Sequence, residues 1–422
     1  MRSIQILFFV SLLFAFSSCQ KDDATNTDTN ITDINEVDPN GNNGNNGNGN
    51  GNNTGGTGTA NNNSMVTLGR LLFWDPILSG EKDVACATCH HPDFGYSDGR
   101  ALPIGVGGEG LGPSRIDAVN DDIGIVRRNS PTIINTNFNG ISTNGNFDPA
   151  QAPMFWDNRL RSLEAQALGP LLSFEEMRGH SFNENVTLDS IVNRLSNIGQ
   201  YNTLFTAAFG TNNSITSTNI GAAIAAFERT IIATDSPFDQ FQAGNQNALT
   251  QAQIRGMDRF QDIGCDDCHS GPMFSDFELH VVGVPDNNLL ATSDAGANGT
   301  YSFRTPTLRN LNETGPYFHN GVGGNLQQTI QFYITARNFA RGNGNGGGGG
   351  GNSGGGGNGG GLNVNPNVNQ NDIDNDVRNL QNFNNNDIQD IIAFIQALDD
   401  PGFDRTIPAT VPSGLNPGGN ID

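Results

Sequence analysis

Two short segments of the chain carry the residues best suited to chemistry, Cys86-Ala87-Thr88-Cys89-His90 and Cys265-Asp266-Asp267-Cys268-His269. In each, two thiols spaced by two residues can form thioethers to the two vinyl groups of one porphyrin, while the adjoining imidazole reaches the iron from the same side. A thioredoxin-like redox pair, a zinc site and a structural disulfide also use paired cysteines, but none requires a histidine directly after the second thiol. Two complete motifs therefore predict two covalently bound c-type haems, attached at Cys86, Cys89 and His90 and at Cys265, Cys268 and His269.

What lies across each iron decides between electron transfer and catalysis. The stretch from Pro92 to Arg128 contains neither His nor Met, and His91 abuts the proximal ligand, so the first haem is expected to be open to a small oxidant. The competing expectation is that a distant residue such as His180 fills the position. For the second haem, every methionine lies at or before Met273, so a His/Met pair would need Met273 to loop back. The other downstream candidates are His280, Tyr301, Tyr317, His319 and Tyr333. A phenolate among them would stabilise ferric iron and lower its potential.

Helices must position these groups. Ile220, Ile224, Phe227 and Ile231 recur on one helical face that ends near Asp235-Ser236-Pro237. Thr250 and Gln253 form a capping box, followed by Ile254, Met257 and Phe260 on a helix that runs into the second motif. Ile388, Ile391, Ile392, Ile395 and Leu398 mark a third amphipathic helix. Strand-like alternation is scarce, so the fold is expected to be mainly α with long loops, divided between 236 and 249.

The rest of the chain speaks of export and of segments without a core. Arg2, an apolar run from Ile4 to Phe16, and Ser17-Ser18 before Cys19 have the form of a lipoprotein signal, too short for a comfortable membrane span. A lipidated Cys19 would then tether the protein, and Gln20-Lys21-Asp22-Asp23 resembles a signal for the outer face of the outer membrane. The expected location is the periplasm or the outer membrane, with surface exposure as the further expectation. Residues 20–63 are rich in Asn and Gly and read as a disordered tether, and 342–370 as a flexible insertion. With 43 acids against 21 Lys and Arg, the formal charge of -22 argues against nucleic acid and favours a neutral or basic partner.

Several ordered blocks around both motifs resemble the dihaem cytochrome c peroxidase family, including its methylamine-utilisation branch. They are Leu68-Gly69-Arg70-Leu71-Leu72-Phe73, Arg128-Asn129-Ser130-Pro131-Thr132, Phe155-Trp156-Asp157-Asn158-Arg159, Gln166-Ala167-Leu168-Gly169-Pro170, Glu176-Met177, Ala226-Phe227-Glu228-Arg229-Thr230, Cys268-His269-Ser270-Gly271-Pro272, Arg304-Thr305-Pro306-Thr307-Leu308-Arg309-Asn310 and Pro316-Tyr317-Phe318-His319-Asn320-Gly321.

The resemblance implies two cytochrome c-like haem domains, 64–245 and 246–412, joined at an interface that holds a calcium ion. It makes His90 the proximal ligand of the peroxidatic haem and His269 that of the electron-transfer haem, with Trp156 between them. Gln166 and Glu176 become distal-pocket residues, Glu176 moving a proton between the two oxygens of peroxide. Asn129, Thr314 and Pro316 become calcium ligands, and Tyr333 the second haem's sixth ligand, where the peroxidases carry methionine. Two departures, the missing distal histidine after the first motif and Tyr333 itself, lean toward the methylamine-type branch.

The expected activity is reduction of hydrogen peroxide with electrons from a small cytochrome c or copper protein. The rival expectations are a peroxide-driven oxidase of a partner protein or small molecule, and a surface electron carrier without catalysis. The only membrane contact expected is the lipid anchor, and a homodimer is an open expectation.

Overall fold

The computed structural model describes residues 62–118, 123–343 and 361–422. The signal and lipid site at Cys19, nearly all of the expected tether, and 344–360 of the expected insertion lie outside the described residues.

The first half of the chain forms helices α1 (Asn62–Trp74), α2 (Cys86–Cys89), α3 (Leu163–Gln166), α4 (Gly169–Leu172), α5 (Thr187–Ser196), α6 (Gly199–Phe209) and α7 (Ser217–Glu228). The second half forms α8 (Pro237–Gln242), α9 (Gln251–Ile263), α10 (Leu326–Ala340), α11 (Asn375–Asn379) and α12 (Asn385–Gln396). Strand pairing among the described residues is confined to three antiparallel ladders. They join β1 (Gly108–Glu109) to β2 (Ile116–Asp117), β3 (Pro153–Met154) to β4 (Leu160–Arg161), and β5 (Leu279–His280) to β6 (Phe303–Arg304). The protein is mainly helical, as its sequence periodicity predicts.

Each half is built on a close helix crossing that only glycine permits. A Cβ on Gly69 of α1 would lie 1.8 Å from the Ala223 carbonyl oxygen of α7, and one on Gly256 of α9 would lie 1.9 Å from that of Asp390 on α12. Backbones can approach this closely only where no side chain intervenes. The apolar faces on either side then bury Leu68, Leu72, Phe73, Ile220, Ile224 and Phe227 in one core. Phe260, Ile391, Phe394 and Ile395 lie in the other. Ile231 is buried as its spacing predicts, although α7 ends at Glu228.

Thr250 and Gln253 cap α9 reciprocally, and Gly264 stops it in the left-handed region at φ 93°, which delivers Cys265 directly to the next turn.

The stretch from Ser236 to Leu249, expected to be a break in the helical pattern, opens with the capped helix α8, whose Phe238 packs into the second core, while Ile231 and Ala233 belong to the first. Beyond α12, Phe403 and Val411 pack into the first core. The tail runs beside the first haem motif, where Thr88 Oγ1 donates to the Gly418 carbonyl at 2.7 Å and Gly419 bridges Val84. The expected insertion is shorter: Val368 is buried in the second core, and Asn365 N–H donates to the Gly283 carbonyl at 2.9 Å.

Candidate active site

Both cysteine motifs open onto one mostly apolar cavity of about 710 Å³. Cys86, Cys89 and His90 line it from one half, and Cys265, Cys268 and His269 from the other. None of the four motif cysteines is paired in a disulfide.

The two histidines are held by the same device. His90 Nδ1 donates to the Tyr96 carbonyl at 3.1 Å, and His269 Nδ1 donates to the Phe274 carbonyl at 3.0 Å. A proton fixed on Nδ1 leaves Nε2 as the unprotonated, metal-binding nitrogen. Burial lowers both imidazoles below the usual histidine range, favouring this neutral form. The paired thiols, neutral imidazoles and apolar walls together fit a haem at each motif.

The first end of the cavity contains Gln166 at the end of α3 and Glu176. Glu176 stands on a π-turn, Phe174–Arg178, a wide turn that interrupts helical spacing and re-aims a side chain. Gly105 makes room for it: a Cβ there would lie 2.1 Å from the Glu175 carbonyl oxygen and 2.5 Å from that of Glu176. Burial raises the Glu176 carboxyl above its ordinary range, opposed by the Arg159 charge and a Ser173 hydrogen bond. Such a group can hold a proton near neutrality and exchange it. Met154 and Met177 line the same end, but Met154 Sδ accepts from Asn139 Nδ2 at 3.7 Å and Met177 is packed into the first core. Neither His180 nor His91 is part of the lining. His180 is exposed and rests on Phe174, and His91 is buried against Trp74.

The second end is more apolar. Leu326, Thr329, Ile330 and Tyr333 face it from α10 at the spacing of one helical face. Burial raises the Tyr333 phenol, and its nearest electrostatic neighbours are Cys268 and Cys265. Other expected ligand candidates are engaged elsewhere. Met273 is buried against Ile141 and Phe277, away from the cavity, and the Tyr317 hydroxyl donates to the Leu311 carbonyl at 2.9 Å. His280 is clamped between Asp276 (2.9 Å) and Asp374 (2.7 Å), and Asp276, then the Cys268 sulfur and Asp374, raise it above its ordinary range and favour the cation. His319 stacks on Phe303 with ring centroids 3.5 Å apart, and burial lowers it to about 3. Tyr301 also lines the cavity.

Trp156 belongs to the seam. Its indole N–H donates to the Asn129 carbonyl at 2.9 Å, and its own carbonyl accepts from Arg304 N–H at 2.7 Å, so it is held from both halves. Asn129 N–H in turn donates to the His319 carbonyl at 2.8 Å. Asn129, Thr314 and Pro316 all line the cavity, and Asn129 Nδ2 donates to the Arg100 carbonyl at 2.7 Å, which turns its side-chain oxygen away from that bond.

Sequence reasoning missed the ionic bolt beside them. Arg128 grips Asp294 through Nε at 2.6 Å and pairs with Asp157 at 2.8 Å, joining the halves. Its place in the Arg128–Thr132 block was the available signal. Glu228, also within a quoted block, was missed as a lining residue; it follows Ile224 by one helical turn on the buried face.

Residues 63–247 match the family described as di-haem cytochrome c peroxidase. The chain is 34% identical over 273 residues to the methylamine utilization protein MauG of Methylophilus methylotrophus, covering 63% of this chain and 71% of that protein. The chain belongs to the di-haem cytochrome c peroxidase family. Within this family it is also 33% identical over 274 residues to the cytochrome c551 peroxidase of Pseudomonas aeruginosa, covering 62% of this chain and 69% of that one. The diheme peroxidase BthA of Burkholderia thailandensis shares the fold, with a TM-score of 0.60 at 21% identity over 80% of this chain and 86% of its own. Family membership accounts for two c-type haems.

Proposed function

We propose that the protein reduces hydrogen peroxide to water at the haem carried by Cys86, Cys89 and His90. Each peroxide consumes two electrons and two protons, the electrons coming from a small donor such as a cytochrome c or a copper protein. Bound at their motifs, the two haems supply the redox chemistry, oxygen–oxygen cleavage at His90 and electron storage or relay at His269.

The chain does the rest. Gln166 orients peroxide by hydrogen bonding, and Glu176 takes a proton from one peroxide oxygen and returns it to the departing one. Trp156, held by both halves, stands in the electron route. Tyr333 would hold the second iron, and Asn129, Thr314 and Pro316 would hold a calcium ion that stiffens the seam. Lipidation at Cys19 anchors the exported protein to a membrane.

The observation that carries this reading is Glu176, a carboxyl of raised proton affinity that lines the cavity together with Cys89 and His90. The test is the ferric spectrum of the purified protein with and without stoichiometric peroxide. A high-spin component that shifts on peroxide addition supports the reading. Two low-spin haems inert to peroxide would leave only an electron carrier.

Tyr333 favours one second reading, a peroxide-dependent oxidase of a partner protein or small molecule like the methylamine-type enzymes. Steady peroxide turnover with reduced cytochrome c separates the two, since a dedicated oxidase would sustain little.

A further inference from the structure

The first half contains a buried acid that the proposed chemistry leaves unused. Glu228 ends α7, is 4% exposed and lines the cavity beside Cys86 and Ile224. Its Oε2 has no hydrogen-bond partner among the described residues. A carboxylate left in that state is costly, whereas a neutral acid with one unmatched oxygen is tolerable.

The charged groups around it do not rescue the anion. Next to it, Arg229 pairs with Glu164 of α3 at 2.7 Å, so the attraction of one is offset by the repulsion of the other. Arg70 of α1 is bound to Asp404, and Arg194 of α5 donates to the carbonyls of Ser79 (2.6 Å) and Gly80 (2.8 Å). Asp189, also on α5, is not among the charges acting on Glu228. Burial thus raises the Glu228 carboxyl to about 8.

We propose that Glu228 is a redox-linked proton site of the first haem, neutral when that haem is reduced and giving up its proton when it is oxidised. This rests on a haem being attached at Cys86. The physical ground is mutual: positive charge gained in a water-poor cavity stabilises a nearby carboxylate, and removal of that charge restores the acid. With ferricyanide as oxidant, one electron passes to ferricyanide, the Glu228 O–H bond breaks and the proton goes to water. Reduction by dithionite reverses both transfers.

The experiment is a spectroelectrochemical titration of the dihaem protein as a function of pH, with infrared difference spectra recorded on each redox change. Around pH 8 the oxidised-to-reduced ratio of the first haem at fixed potential should change about tenfold per pH unit, equal to about 59 mV. A carboxylic acid carbonyl band should appear on reduction. Glu228→Gln should abolish both signals. A wild-type potential that is flat with pH overturns the proposal without any variant, as does an unchanged slope in a Glu228→Gln protein with full haem content. Loss of peroxide reactivity in the wild type, with the slope present, would instead sink the peroxidase reading alone.

Discussion

The two halves of the molecule solve the same attachment problem and then diverge. Each brings a thiol pair and a histidine to one cavity, pins the histidine by Nδ1 to a nearby carbonyl, and rests on a helix crossing licensed by glycine. The walls facing the two motifs differ. The first end is furnished with Gln166, Glu176 and Glu228, and the second with Leu326, Ile330 and Tyr333. The way each histidine is held is therefore shared, and the difference lies in the rest of the lining, where carboxyl groups at the first end favour chemistry on oxygen and apolar side chains with phenols at the second favour a closed redox centre.

The largest test of this contrast is Glu176→Gln. Loss of a positioned acid/base should slow the peroxide reaction by about 10²–10⁴-fold while leaving the spectrum of the second haem unchanged. Stopped-flow mixing with peroxide measures both, and an unaltered rate would remove the distinction between the walls.

Next is Phe403→Ala. Phe403 follows the last helix of the second half but packs against Tyr96 at 5.9 Å between ring centroids, in the first core. The substitution should cost about 3–5 kcal/mol and lower the denaturation midpoint of the first half selectively. Selective loss of the second half would contradict the assignment of the tail.

Gly69→Ala and Gly256→Ala compare the crossings directly. Each forces a methyl group onto a carbonyl oxygen, and each should cost about 1–3 kcal/mol, read as earlier unfolding of its own half by haem absorbance. Equal effects would support the shared scaffold.

The smallest effect concerns pH. The Asp276 and Asp374 carboxylates raise His280 above its ordinary value of 6.5 in the folded protein. Its stabilisation is thus fully present below about pH 6.5 and is lost as pH rises through the raised value. Denaturant titrations of the second half across this range should show that slope, and His280→Gln should flatten it.

Much of this was legible from residue order. The haem motifs, the capping box at Thr250, the buried stripe from Ile220 to Ile231 and the scarcity of strands are local patterns, set by spacing over a few residues. The alternatives raised by His180 and Met273 could not be settled that way, because a side chain's access to a cavity depends on segments far from it in the chain. Glu176 reads in isolation as a surface acid. Only its π-turn, seated against Gly105, makes it a residue of the cavity wall.

The chain's own order of residues thus determined two thiol pairs each followed by a histidine, the places where two haems are expected to attach, and that helices carry both. Tertiary structure alone decided that both motifs share one cavity, that the tail returns to the first core, and which acids are stripped of water. Attachment needs only a thiol spacing that neighbouring residues supply, whereas proton affinity depends on the dielectric and charges assembled around a group from the whole fold.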